Sequence, residues 1–372
     1  MLHKRCILII FIIWIFGMSI LSFVTPKKTF SQMENRYLAE FPVLSLEHIV
    51  DGSFEEKFET YLNDHFAERD FFVRLSKIKS FALGLREFGD VYYGKDETLL
   101  RKLKSDEDYA VKLTEAVAEY AETAEVPVSF ALIPGAVDIR REQVPKYAPN
   151  ADEELQIQDQ YDVLKDSNVT CADIYHVLSA HAEEPIYYHT DHHWASLGAY
   201  YGYAAILQSL GHVPADISEY NDNLISDDFY GTLYSEAPFP WIEPDEIHTY
   251  VPEAEITTTI YDGTGYQDGE LYVESNLQEK NQYTYFLGGN QPIITVKNPA
   301  VQGERLLVIR DSYMDSMVPF LTADFEEVHL IDPRYYKQGI NAYIEENEID
   351  RVLICMSLSS YMESTGLLPI LK

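Results

Sequence analysis

Basic residues are scarce in this chain. Its 372 residues hold 28 Lys and Arg against 61 Asp and Glu, a formal charge of −33. Nucleic-acid binding is excluded, because no positive footprint is available to displace counterions from phosphates. The acidity itself suits a soluble, self-repelling surface. Cysteine is nearly absent, and the three present, Cys6, Cys171 and Cys355, do not make a disulfide framework. Cys6 lies in an apolar run. The other two fall in or beside strand-like runs, where a free thiol packs as a small hydrophobe. No internal repeat or low-complexity tract occurs, which excludes a solenoid. Long runs free of charged, His and amide side chains are missing too, with one exception at the N-terminus.

That exception is Cys6 to Val24, nineteen residues without a charge. At ~1.5 Å rise per residue they span roughly 28 Å as a helix, close to a bilayer core. The run is long for a signal-peptide core and no Ala-x-Ala site follows it. An uncleaved anchor over residues 1–25 is therefore expected. Lys4 and Arg5 before it are matched by Lys27 and Lys28 after it, so charge alone does not orient it. Residues 26–50, with Pro26 and Pro42, read as a linker into a folded domain over 51–372.

A hydrophobic share of 46% is ample for a packed core, and 28 Tyr suit either strands or surfaces that stack on sugars. Phe54, Phe58, Tyr61, Leu62, Phe66, Phe72, Leu75 and Ile78 recur at helical spacing. Residues 105–124, 152–166 and 195–210 also read as helices. Val91 to Gly94 suggests a short strand and turn. Apolar runs of strand length lie at 126–133, 169–174, 306–310, 328–331 and 351–356. Strands alternating with helices imply a parallel sheet with helices on both faces, whose ligands sit at the strands' carboxyl ends. Pro134, Ser312, Arg334 and Ser357 all fall just past such ends. Residues 212–300 lose this rhythm and are rich in Tyr, Thr, Pro and Gly. Alternation at 256–261 and 283–287 marks a β-rich insertion, expected to stand apart from the central sheet.

Chemistry concentrates in His189-Thr190-Asp191-His192-His193-Trp194 and in Arg310-Asp311-Ser312-Tyr313. A serine hydroxyl needs a base within hydrogen-bond reach, and the base needs a carboxylate to hold its tautomer. Asp191 and His193 are two apart and face one way from an extended backbone. They suit orienter and base, with Ser312 as nucleophile on a turn after a strand. Read alone, Asp311-Ser312 is equally a helix N-cap. His192 and His189 suit the pocket's supporting shell. Trp194 is either a pocket wall or a core aromatic, and Tyr313 is expected to border the pocket. The competing chemistry is a metal site built from His189, Asp191 and His193. It lacks a distant partner segment, so neither metal nor cofactor is expected.

The sequence resembles the DHHW protein family of Gram-positive bacteria. The likeness rests on Tyr188 to Trp194 with Gly198-Ala199-Tyr200, on Glu34 to Leu38 with Phe41-Pro42, and on Leu62 to Phe66 with Arg69-Asp70. It extends to Tyr92 to Lys95, Asp311-Ser312-Tyr313 and Asp332 to Tyr336. That family is similar to the SGNH-hydrolase-like O-acetyltransferases of alginate biosynthesis, in which an Asp-x-His-Trp motif precedes the serine. The resemblance implies a permuted SGNH-like, flavodoxin-like sheet on the outer face of a cell membrane. It also implies transfer of an acyl group, delivered by a membrane-bound O-acyltransferase partner, to a polysaccharide hydroxyl. Ordinary SGNH enzymes carry Gly and Asn on the strand ends after the nucleophile. Here those ends carry Arg334 and Ser357-Leu358-Ser359, so Arg334 and Asn290 become the oxyanion-hole candidates beside the Ser312 N–H. A carbohydrate acetylesterase and a catalytically silent polysaccharide-binding or assembly factor are the alternatives.

Overall fold

An uncharged run offers water no polar face, and it forms one helix, α1 (Leu2–Val24). Its Lys4–Val24 stretch is unburied and has the length and composition of a membrane span or a signal sequence. The computed structural model describes residues 2–104, 106–251 and 255–372. Met1 of the expected anchor, Ser105 of the expected helix 105–124 and residues 252–254 of the expected insertion lie outside the described residues.

The chain divides into two compact units. One comprises Met1–Leu85 with Ser235–Ile242, and the other Arg86–Tyr234 with Glu243–Lys372. The first holds α1, α2 (Ser53–Asp64) and α3 (Arg69–Ala82). The expected linker has structure of its own, a ladder of Phe30–Ser31 with Arg36–Tyr37 and a helical turn at Leu46–Val50. The motif residues of this unit converge. Arg36 pairs with Asp64 through both of its terminal nitrogens, and Arg69 reaches Glu34 at 2.6 Å. The Arg36 hydrogen bond holds the Asp64 carboxyl down at about 2, against the effect of burial. The Ala67 N–H donates to Ser22 Oγ at 2.9 Å, which ties the α2–α3 turn to the end of α1.

The second unit is built on an eight-stranded sheet. In chain order its strands are β1 (Val128–Ile133), β2 (Val169–Cys171), β3 (Thr257–Tyr261), β4 (Tyr266–Gly269), β5 (Ile293–Lys297), β6 (Arg305–Arg310), β7 (Glu327–Ile331) and β8 (Arg351–Ser357). Their spatial order is β4-β3-β5-β7-β6-β8-β1-β2. The β7-β6-β8-β1-β2 stretch is parallel throughout. Its inner strands are mostly apolar and buried beyond their first residues, because parallel strands are covered on both faces. Around them stand α4 (Glu107–Thr123) on α5 (Glu153–Leu164), and α6 (Ile174–Ala180) on α7 (Ser196–Ser209).

Counted from β6 through β7 and β8 and then back to β1 and β2, these parallel strands lie in the order 2-1-3-4-5. That is the doubly wound flavodoxin-like order, with the two halves exchanged in sequence. The strand order reverses between β6 and β8. Ligands of such sheets bind outside the carboxyl ends at that switch point, which here is where Ser312 and Ser357 emerge.

The 212–300 region is only partly a separate insertion. Asn221–Phe229 and Asp245–Val251 pair with each other as a two-stranded ladder. By contrast β5, β3 and β4 extend the central sheet antiparallel beyond β7. The reason is burial: Ile293, Ile294 and Val296 are apolar side chains that need the sheet's core. The alternation at 283–287 is not a strand. Gln282–Tyr285 is a 3₁₀ turn, and Leu287, Gly288 and Gly289 all have positive φ, which extended backbone does not allow.

Gly198 shows how tightly α7 is set. A Cβ there would lie 2.3 Å from the Ile186 carbonyl oxygen, which already accepts the Ala195 N–H at 2.9 Å. Gly198→Ala is expected to destabilise the protein by about 1–3 kcal/mol in urea unfolding. Unaltered stability would contradict this packing.

Candidate active site

The loop before α7 is shaped by a carboxylate from the ladder strand Asp245–Val251. Asp245 accepts the His189 N–H at 2.7 Å, the Thr190 N–H at 2.8 Å and the Thr190 hydroxyl at 2.5 Å. Tyr187 and Trp194 bridge antiparallel across the loop's base. The backbone between them stays non-helical, so Asp191 and His193 turn inward together.

Asp191 is buried and takes four donors. Oδ1 accepts the His193 N–H at 3.0 Å and faces His193 Nδ1 at 2.6 Å. Oδ2 accepts the Thr232 N–H at 2.7 Å and the Thr232 hydroxyl at 3.0 Å. Burial raises the Asp191 pKa, but the adjacent imidazoles and these hydrogen bonds outweigh it and hold the carboxyl well below its usual range. It is thus ionised near neutrality and obliges His193 to keep its proton on Nδ1. The lone pair of Nε2 is left for Ser312 Oγ, 2.8 Å away. Gly231 lets Thr232 reach Asp191, since a Cβ at 231 would come within 2.3 Å of Asp191.

Ser312 opens a short 3₁₀ turn, Ser312–Ser316, directly after β6. Asp311 caps that turn by accepting the Tyr313 N–H at 3.2 Å. Its other oxygen takes the N–H and hydroxyl of Ser357 at 3.1 and 2.6 Å. The ends of β6 and β8 are thereby clamped on either side of the switch point. The cap of this turn is Asp311, not Ser312. Arg310 is fully buried. Its Nη1 donates to Asn290 Oδ1 and lies on Asp315 Oδ1, both at 2.8 Å. Burial pushes the Asp315 carboxyl up to about 7 although Arg310 opposes this.

Tyr283 was not legible as a site residue. Its ring stacks on the His193 ring at 3.9 Å and 9°. Its hydroxyl donates to the Ser312 carbonyl at 3.0 Å and lies 3.1 Å from Ser316 Oγ. One side chain therefore holds both the plane of the His193 ring and the backbone of Ser312. Asp245 and Thr232 were missed as well. All three come from the region without strand rhythm, and each is one of many of its kind.

The other expected residues divide. His192 borders the relay, bonding Thr232 Oγ1 through Nδ1 at 2.7 Å. Burial and the adjacent His193 ring hold its pKa far below the usual histidine range, so it is neutral. Tyr313 donates to the His192 carbonyl and packs 5.0 Å from the His193 ring. Trp194 is a core residue: it is fully buried, and its Nε1 donates to the Tyr313 carbonyl at 2.7 Å. His189 turns away from the relay, half exposed, toward Asp245 at 3.3 Å. That removes one ligand of the metal alternative. Asp191, His192 and His193 do offer ligand atoms within 4.8 Å of one another, but these atoms are engaged with each other and with Thr232. Among the described residues, Arg334 spends its hydrogen bonds on Asp332, at 2.6 Å from Nη2.

The model of the DHHW protein family matches residues 88–331. No curated protein matches the chain in sequence. Among solved structures, a DHHW family protein from Eubacterium siraeum is 28% identical, with a TM-score of 0.63 over 74% of this chain and 93% of that one. Bacillus cereus PatB1 is 21% identical, with a TM-score of 0.60 over 74% of this chain and 97% of its own. PatB1 with a sulfonyl adduct is 20% identical, with a TM-score of 0.61 over 76% and 98%.

The 2.6 Å contact predicts a signal. A proton spectrum in water should show an imidazole N–H far downfield of the amides. It should vanish in Asp191→Ala and in His193→Ala and persist in His189→Ala. Its absence from the native protein would contradict the tautomer.

Proposed function

Because the chain belongs to the DHHW protein family, we propose that it is a membrane-anchored, extracytoplasmic O-acetyltransferase. Its acceptor is a hydroxyl of a cell-surface or secreted polysaccharide. Ser312 is the nucleophile, His193 the base and Asp191 its orienter. The observation that carries this is the unbroken line from carboxylate to imidazole to hydroxyl, at 2.6 and 2.8 Å.

In the first half-reaction Ser312 Oγ attacks the donor's carbonyl carbon while His193 Nε2 takes the hydroxyl proton. The tetrahedral adduct collapses, the leaving group departs with that proton, and an acyl-serine remains. In the second half His193 removes a proton from the sugar hydroxyl, whose oxygen attacks the acyl-serine. Ser312 then leaves and regains its proton from His193. Water in place of the sugar gives the esterase. Asp191 stays ionised and stabilises the transient imidazolium.

The oxyanion needs a donor besides the Ser312 N–H. Between the two candidates the hydrogen bonds favour Asn290. A guanidinium only donates, so Arg310 takes the Asn290 carbonyl oxygen and leaves its amide N–H₂ for another partner. Arg334 pairs with Asp332 through Nε and Nη2. The positive-φ run Leu287-Gly288-Gly289 that delivers Asn290 is the kind of backbone kept at functional sites. Outside the membrane, acetyl groups reach Ser312 from a membrane-bound O-acyltransferase partner, and α1 keeps the two proteins on one surface.

Hydrolysis of p-nitrophenyl acetate tests the chemistry. Ser312→Ala and His193→Ala are expected to lower kcat by about 10³-fold or more, and Asp191→Asn by about 10³–10⁴-fold. Asn290→Ala should cost about 10²–10³-fold in the same assay. Undiminished turnover in the Ser312 and His193 variants would remove the triad.

A further inference from the structure

A cavity of about 260 Å³ opens at the carboxyl ends of β8 and β1. Asp191, His192 and Tyr313 form the side it shares with the relay, and Glu153 lines it as well. Glu153 is the first residue of α5 and is 2% exposed. Its Oε2 accepts the Gly135 N–H at 2.7 Å. Its Oε1 has no hydrogen-bond partner among the described residues, and no cation there pairs with the carboxyl.

A buried carboxyl with a single neutral partner is unfavourable unless something else uses it. Burial pushes this one up to about 7. Near neutrality it therefore both donates and accepts hydrogen bonds. A perturbed acid in a cleft beside reactive groups marks a functional position, and the acyl-transfer steps leave Glu153 without a task.

The surroundings select the ligand's chemistry. Ser359 and Ser360 bring hydroxyl groups, and Ile133, Ala136 and Leu233 bring apolar surface. The rim carries charges of both signs: Lys104 pairs with Asp90 at 2.5 Å, Lys102 pairs with Glu87, and Arg101 and Glu363 stand there too. A neutral sugar ring, with polar edges and C–H faces, matches such a lining. The volume lies just under the ~300 Å³ of the smaller ligand pockets, which suits a single ring.

We propose that this cavity seats one neutral sugar unit of the acceptor chain and that Glu153 hydrogen-bonds a hydroxyl of that unit, an assignment that rests on the acyl-transfer reading above. Glu153 is a binding and positioning residue here, separate from the proton relay.

The test uses the full chain in detergent with Ser312→Ala, so that nothing is turned over. Binding of cellotetraose, chitotetraose and tetragalacturonate is measured by titration calorimetry at millimolar concentration. At least one of the two neutral tetramers is expected to bind, and the acidic one is not. Adding Glu153→Ala should weaken binding by about tenfold. Glu153→Gln, which still accepts the Gly135 N–H, should weaken it by less than about threefold. Ser360→Trp, which fills the cavity, should abolish it. Circular dichroism checks that each variant is folded, and Glu153→Gln keeps the test valid if Glu153→Ala is not. Failure of both neutral tetramers to bind overturns the proposal. So does binding that survives Glu153→Ala and Ser360→Trp, or binding of the acidic tetramer alone. Because no turnover is involved, these outcomes are independent of the ester assay that tests the triad.

Discussion

The structure depends on one ionised carboxylate kept out of water. Burying Asp191 is unfavourable unless its oxygens are filled, and four donors from His193 and Thr232 fill them. That requirement explains much of the neighbourhood. It needs Thr232 delivered from another segment, a glycine at position 231 to let it approach, and a loop tied to Asp245 so that residues 191 and 193 face inward. The geometry of His193 follows from the carboxylate, and the availability of Nε2 for Ser312 follows from His193.

The sheet supplies the other half. Where the strand order reverses, Asp311 just after β6 bonds across to Ser357 at the end of β8. The crevice at the switch point is thus closed at its base by a hydrogen-bonded clamp. The relay and the Glu153 cavity lie on adjoining strand ends, with Tyr313 on the wall between them. Exchanging the two halves of the doubly wound order in sequence leaves this crest unchanged, because strand adjacency, not chain order, sets which ends meet.

Much of this was legible in the sequence. The parallel strands were marked by apolar runs, and their boundaries shifted by only a few residues. Asp191, His193 and Ser312 stood out because few other functions require those residue types in those places. Arg334 and His189 were named by type and position, and the carboxylates they face, Asp332 and Asp245, are partners that spacing does not reveal. Tyr283 stacks on His193 from about 90 residues away in sequence, and one tyrosine among 28 carries no mark. The strands β3 to β5 were set apart because Tyr and Gly blurred the rhythm around them. In the case of β5, Ile-Ile-Thr-Val after Pro292 is itself a strand signal, and its burial made it part of the sheet.

The most direct measurement of the central claim is where a sulfonyl fluoride reacts. Phenylmethylsulfonyl fluoride, with intact mass and peptide mapping, reports an activated serine without needing the natural donor or acceptor. A single adduct on Ser312 in the native protein, lost in His193→Ala, is the predicted result. A native protein that stays unlabelled, or a His193→Ala variant labelled as fast as the native one, would contradict a serine activated by this relay.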